Sequence, residues 1–175
     1  IAANRQVAVA VTDPHVQVVA VDDFDGDGRS DLFWRLIPDG PNMIWRSANA
    51  STRQNPGSFT TAGWMLVGYG DFNGDGKADV FWRNAQTGAN VIWKSADANT
   101  SQATMGVTNL NWNVATVGDF DGDGRSDVFW RNTATGANVI WRAGSASAAQ
   151  SITAVGDLAW NIVPMQSHPL APWDY

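Results

Sequence analysis

The chain has 175 residues, a mass of 18.8 kDa and a formal net charge of −6 at pH 7, enough for one domain with a buried core. It has no Glu, few Lys and no Cys. The shortage of strong helix formers argues against a helical protein, and the absence of Cys excludes disulfides and thiolate metal sites. The acidic balance argues against nucleic-acid binding, the 44% hydrophobic content against disorder, and no apolar run is long enough for a membrane span.

A 13-residue segment occurs three times at a spacing of 48 residues, without gaps. Trp and Gln residues outside this segment keep the same spacing, which identifies the chain as a repeat protein. In chain order the segments read DFDGDGRSDLFWR at 23–35, DFNGDGKADVFWR at 71–83 and DFDGDGRSDVFWR at 119–131. The period predicts an orphan last strand of a preceding blade at 1–15, repeats at 16–63, 64–111 and 112–159, and the first strand of a fourth unit with a Pro-rich tail at 160–175.

Each repeat carries four strand signals, which are runs of Val, Ile, Phe, Trp and Thr separated by Gly, Asn and Asp turns. In the third repeat these runs are Trp112–Gly118, Asp127–Arg131, Asn138–Arg142 and Ser151–Val155. Four strands in 48 residues are typical of a β-propeller blade. We therefore predict an all-β protein of three four-stranded antiparallel blades with orphan terminal strands, forming a partial or oligomer-completed β-propeller.

The adjacent Phe and Trp in the second strand predict how the sheets pack. Successive side chains of a strand point to opposite faces, so Phe81 and Trp82 give both faces of their sheet an aromatic surface. An antiparallel sheet in a sandwich keeps one face polar, whereas a blade between two other blades needs two apolar faces. The pair therefore favours stacked blades.

Each acidic loop places carboxylate or amide oxygens at positions 1, 3, 5 and 9, with Gly at position 6. Oxygen ligands on alternate residues of a tight loop suit Ca²⁺, and the backbone carbonyl at position 7 would complete the shell. Zinc would require His or Cys. We predict three structural calcium sites, formed by Asp23, Asp25, Asp27, Arg29 and Asp31; by Asp71, Asn73, Asp75, Lys77 and Asp79; and by Asp119, Asp121, Asp123, Arg125 and Asp127.

Two other types of calcium loop and a non-binding turn are the alternatives to this interpretation. An EF-hand has Glu at position 12 between two helices, but that position holds a Trp within a predicted strand. A dockerin-type loop also requires a following helix. A single Asp-Gly turn would merely cap strands, but three copies in register favour metal binding.

The pattern DxDxDGxxD followed by an apolar strand resembles the FG-GAP/VCBS-type calcium repeat, a family that includes the integrin α-subunit propeller and many secreted bacterial proteins. The resemblance covers residues 6–165. It implies a propeller fold, calcium in the loop after the first strand of each blade, and a secreted or extracellular location. A start at Ile1 without Met suggests a processed or excised segment.

Three blades are fewer than the 4 to 8 that close a propeller. An open stack would expose one aromatic face at each end, and such faces drive association. We expect either head-to-tail self-association, as a ring or a filament, or continuation into a longer propeller.

The sequence offers little acid–base machinery, because the only His residues, His15 and His168, lie at opposite ends of the repeats. We predict a protein that is not an enzyme. The ten Trp residues could stack on glycans, but their fixed strand positions favour packing. Two functions remain: a calcium-stabilised module for adhesion or for binding a glycan or protein ligand, and a self-assembling structural protein.

Overall fold

The computed structural model describes residues 11–160 and 162. It contains twelve strands in three four-stranded sheets, each an antiparallel meander in chain order. The first sheet contains β1 Val16–Asp22, β2 Asp31–Leu36, β3 Asn42–Trp45 and β4 Arg53–Gln54; the second contains β5 Trp64–Gly70, β6 Asp79–Asn84, β7 Asn90–Trp93 and β8 Ser101–Thr104; the third contains β9 Trp112–Gly118, β10 Asp127–Asn132, β11 Asn138–Trp141 and β12 Ala149–Ile152. The predicted all-β fold of three four-stranded blades is confirmed, and the stack is open.

Four strand boundaries in the third sheet differ from the prediction. β10 extends to Asn132, one residue past its predicted end, and β12 begins at Ala149, two residues before its predicted start. β11 ends at Trp141 because Arg142 starts a short 3₁₀ turn whose second residue, Ala143, has a φ of 49°. β12 was predicted at Ser151–Val155 but pairs only as far as Ile152, because Ile152 lies opposite Asn138, the first residue of β11. Beyond Ile152, the side-chain amide of Asn138 donates a hydrogen bond to the carbonyl of Thr153, in place of a backbone hydrogen bond between the strands.

The middle sheet is buried on both faces, as the Phe-Trp pair predicts. Trp82 faces the first sheet, where its ring lies 6.1 Å from that of Phe33. Phe81 faces the third sheet, with its ring 6.1 Å from that of Trp130. Both contacts have the edge-to-face geometry that aromatic pairs prefer. The pair therefore joins the middle sheet to both of its neighbours.

Each acidic loop contains one Phe, and the exposed fraction of its side chain shows whether another sheet covers that face of the stack. Phe24 and Phe72 are 3% and 4% exposed because the next sheet covers each of them. Phe120 occupies the same loop position in the third repeat and is 45% exposed. In the described part of the chain, the outer face of the third sheet therefore has no neighbouring sheet.

The predicted orphan strands lie largely outside the described residues. Residues 1–10 and 163–175 contain most of both segments, and the assignment of these ends and of the repeat boundaries stays a prediction. Within the described residues, the helical segments are five 3₁₀ turns of three residues each. None of the described helices is long and apolar enough to cross a membrane.

Candidate metal centre

The three acidic loops connect the first and second strands of each sheet. Their sharp course depends on glycine: Gly26 and Gly28 both have a φ of +80°, and the corresponding glycines of the other loops match them closely. This left-handed region costs other residues free energy. The loop backbone therefore curls so that its N–H groups and side-chain oxygens point inward.

The Asp at position 1 organises each loop. In the first loop, Asp23 Oδ1 accepts from the N–H of Gly26 at 2.7 Å, and Oδ2 accepts from the N–H of Gly28 at 2.7 Å. Burial alone would raise the pKa of Asp23, but these N–H donors, with those of Asp25 and Asp27, lower it below its ordinary value. Asp71 and Asp119 make the equivalent bonds with the glycines of their own loops. The backbone N–H groups of all three loops thus converge on the carboxylate at position 1.

The Asp at position 9 is buried and ties its loop to the turn that follows the third strand. Asp31 Oδ2 accepts from the N–H of Phe24 at 3.0 Å, and Oδ1 accepts from the N–H of Ser47 at 2.7 Å. Ser47 has a φ of 47°, an uncommon conformation for a residue other than Gly. Asp79 and Asp127 repeat both bonds. A charge-assisted bond to the carboxylate compensates for the strained turn.

Burial makes two of these ninth-position carboxylates, those of Asp31 and Asp79, costly to ionise without a counter-charge. Burial raises the pKa of Asp79 to about 6, against the opposing effect of the N–H donors of Ser95 and Phe72, and the nearby charges of Asp75 and Asp71 raise it further. Burial also raises the pKa of Asp31 above its ordinary value. A cation in the loop would remove this penalty by favouring the ionised form.

The structure brings part of the first and third predicted ligand sets together. Within the described residues, carboxylate oxygens of Asp23, Asp25 and Asp27 lie within 4.8 Å of one another, and so do those of Asp119, Asp121 and Asp127. Each of these groups could hold a metal ion. Among the described residues the second loop has no such group of three carboxylates, and it carries Asn73 at position 3, where the other loops have Asp.

Asn73 changes the hydrogen bonding of the second loop. Its side-chain nitrogen donates to Asp75 Oδ2 at 3.1 Å, while its side-chain oxygen accepts from the N–H of Asp75 at 2.8 Å. The amide therefore supplies both a donor, which partly compensates the Asp75 charge, and an oxygen. That oxygen could bind a metal ion at position 3 of the loop, where the other loops have Asp25 and Asp121.

A basic residue that the repeat pattern did not single out lies beside two of the loops. Arg46 forms an ion pair with Asp25, and Arg142 forms one with Asp121. Both also donate to a Gln of the last strand, Gln54 or Gln150. The signal was available, because Arg, Lys and Arg follow the Trp of the third strand and the Gln residues keep the 48-residue period. In the middle repeat, Lys94 and Asn73 replace the Arg–Asp pair.

Backbone hydrogen bonds connect neighbouring loops across the sheets. The N–H of Ala78 in the second loop donates to the carbonyl of Asp23 in the first at 2.8 Å. The N–H of Ser126 in the third loop donates to the carbonyl of Asp71 in the second at 2.6 Å. The conformation of each loop is therefore coupled to the stacking of the sheets.

The comparison with protein families agrees with this geometry. The model of the FG-GAP-like repeat matches residues 23–82 and 71–130, which together cover more than half of the chain. The chain belongs to the FG-GAP-like repeat family. No curated protein matches it, and no solved structure does so either. FG-GAP-like repeats are generally non-catalytic, commonly bind calcium and are typical of extracellular proteins.

The Arg after the first and second Phe-Trp pairs has a packing role in this FG-GAP-like protein. The guanidinium carbon of Arg35 lies 4.9 Å from the Trp82 ring centroid, and that of Arg83 lies 5.1 Å from that of Trp130. Arg83 also donates to the carbonyls of Gly88 and Val107. Burial lowers the pKa of both Arg residues. These buried stacks favour a structural role over ligand binding.

Proposed function

We propose that this chain is a non-catalytic extracellular module for adhesion or for binding a glycan or protein ligand, held together by three structural calcium ions. The observation that carries the proposal is the coupling of each acidic loop both to a buried carboxylate and to the next loop. A cation in such a loop would fix the strand connection and the sheet contact together.

The residues present fit calcium. The ligands would be the side-chain oxygens at positions 1, 3, 5 and 9 of each loop, with the carbonyl of Arg29, Lys77 or Arg125 at position 7. Hard oxygen donors in a flexible loop favour Ca²⁺ over Mg²⁺, which demands stricter octahedral geometry. Three Ca²⁺ ions would also balance the formal charge of −6. The acidity of the chain is then a property of its metal sites.

A binding role without catalysis is supported by the positions of the remaining titratable groups. His15 is exposed and pairs with Asp13 at 3.1 Å, before the first strand and apart from the acidic loops. Carboxylates of the loops accept hydrogen bonds from backbone N–H groups. This arrangement is suited to holding loops in shape.

Replacing one calcium ligand tests the proposal. We expect Asp123→Ala to lower the free energy of unfolding by about 1–3 kcal/mol in calcium, because one of three bound ions loses a charged ligand. In EDTA we expect little change, since the same substitution also removes a carboxylate from a self-repelling cluster. Urea unfolding followed by Trp fluorescence measures both values.

Asp157→Ala is the matched control, because Asp157 is an exposed carboxylate that lies outside the loops. It should lose little stability in either condition. Equal losses for Asp123→Ala in calcium and in EDTA would contradict the assignment of a metal site.

The exposed Phe120 favours self-assembly as a second candidate function. Its ring lies 6.0 Å from that of Phe129 on the outer face of the third sheet. At the other end of the stack, Trp34, Arg35 and Met43 help to line an open groove of about 490 Å³ on the first sheet. Inside the chain, the corresponding residues Phe81 and Trp130 pack together. Head-to-tail contact between copies would repeat that internal interface as a ring or filament, and a further repeat of a longer chain would use the same face.

Sedimentation velocity at rising protein concentration in calcium tests this contact. We expect the chain to form concentration-dependent assemblies and Phe120→Ser to weaken their association at least tenfold, because the substitution removes a large apolar contact from one face. Met105→Ser is the control, since Met105 is 63% exposed and lies away from that face. A strictly monomeric chain at 100 µM, or equal loss with both variants, would refute head-to-tail assembly.

A further inference from the structure

An aromatic plug fills the interface between the first and second sheets. Phe59, in the connection between β4 and β5, stacks on Trp64 with ring centroids 4.2 Å apart and an interplanar angle of 8°. Phe59 also stacks on Trp93, with ring centroids 4.7 Å apart and an interplanar angle of 27°. Its ring meets that of Trp82 edge-on, with centroids 5.2 Å apart. Three indoles thus form a slot that accepts one planar ring.

The corresponding slot between the second and third sheets lacks this plug. The three indoles are present as Trp112, Trp130 and Trp141, but the residue 48 positions after Phe59 is Val107. The smaller side chain leaves a partly open cavity of about 160 Å³, lined by Val107, Trp112, Trp130, Val139 and Trp141. An apolar cavity of about 150 Å³ is large enough to bind benzene.

The lining determines which ligand the slot can take. All five lining side chains are apolar or aromatic, so an unpaired charge would lose its hydration there without compensation. Trp130 already carries the Arg83 guanidinium 5.1 Å from its ring, which disfavours a second cation at that indole. The buried Nε1 atoms of Trp130 and of Trp82 in the filled slot both lack a hydrogen-bond partner, so this nitrogen does not distinguish the two slots. A neutral aromatic ring matches the apolar lining.

We propose that the slot between the second and third sheets binds a free, neutral molecule with a single aromatic ring of about the size of phenol. The ring would lie against the indoles of Trp112 and Trp141, as Phe59 lies against Trp64 and Trp93. This site is independent of the acidic loops and of the proposed calcium function.

Phenol and cyclohexanol are the probes, since they match in size and hydroxyl group but only phenol is planar. In the calcium-loaded chain, we expect phenol to shift the indole N–H resonances of Trp112, Trp130 and Trp141 saturably, with a dissociation constant on the order of 1 mM. Cyclohexanol should bind at least tenfold more weakly. Equal binding of both probes, or no saturable shift with phenol, would overturn the proposal.

Two variants test whether the residue at the position of Phe59 or Val107 decides if a slot is filled. Val107→Phe should abolish phenol binding and raise the melting temperature by about 2–4 °C, because it fills the cavity. Phe59→Val should open the first slot and increase the stoichiometry from one phenol to two. Unchanged phenol binding by Val107→Phe would refute the site. If that variant fails to fold, the stoichiometry of Phe59→Val decides, and a value that stays at one counts against the proposal.

Discussion

Removing calcium should destabilise the whole chain rather than one loop. Each proposed ion would contribute about 2.7 kcal/mol to the free energy of unfolding when its concentration is 100 times the dissociation constant. With a dissociation constant on the order of 10⁻⁴ M, as in weak extracellular sites, 10 mM calcium meets that condition. Replacing calcium by EDTA should therefore cost about 8 kcal/mol for three sites, a large share of the stability of an ordinary domain.

The loss should be cooperative because the loops are connected. Ala78 in the second loop and Ser126 in the third donate backbone hydrogen bonds to the loop before them. A loop that opens in EDTA releases the bond to its neighbour and leaves a buried carboxylate such as Asp79 without a counter-charge. We expect a single unfolding transition that moves to lower urea concentration.

Urea titrations in 10 mM calcium, 10 mM magnesium and EDTA measure this effect. Magnesium should restore less of the stability than calcium, because it tolerates the irregular oxygen set poorly. A midpoint in EDTA equal to that in calcium would rule out structural metal in all three loops.

The second large effect concerns the middle sheet. Trp82→Ala should lower the free energy of unfolding by about 3–5 kcal/mol, the usual cost of truncating a buried large aromatic side chain. Trp82 is fully buried, and its ring contacts those of Phe33, Phe59 and Trp93. Its replacement also removes the surface on which Arg35 stacks. Chemical unfolding in calcium measures the loss.

Trp34→Ala is the matched control at the corresponding position of the first sheet. Trp34 contacts the ring of Trp45 at 4.7 Å, but it lines the open groove instead of a sheet interface. We expect less than half the loss seen for Trp82→Ala. An equal loss for both variants in a monomeric sample would mean that the outer face of the first sheet is covered as fully as the inner one.

Much of the local structure could be predicted because the same pattern of strand and turn residues occurs three times in the sequence. The first strand of the third sheet, Trp112–Gly118, has the predicted bounds. The last strand does not, since its end depends on its partner: Ile152 pairs with the first residue of β11, which no local pattern in residues 149–155 reveals. Strand length in a meander is set by the neighbour.

The candidate metal centre shows the same division. The spacing of Asp and Gly predicts an oxygen-lined loop, because alternate residues of a tight loop point the same way. The pattern could not show that Asp31 accepts from the N–H of Ser47, or that Arg46 pairs with Asp25, since these partners lie 16 and 21 residues away. The full ligand sets and the number of bound ions stay predictions.

The sequence by itself determined the repeat, the four strands of each unit and the two aromatic faces of each sheet, because these follow from period and pleat alone. Only the tertiary structure decided which of three equivalent residues is buried. Phe24 and Phe72 are covered and Phe120 is not, although their local sequences are nearly the same. The reason is that burial depends on what packs against a face, and identical repeats differ only in their neighbours.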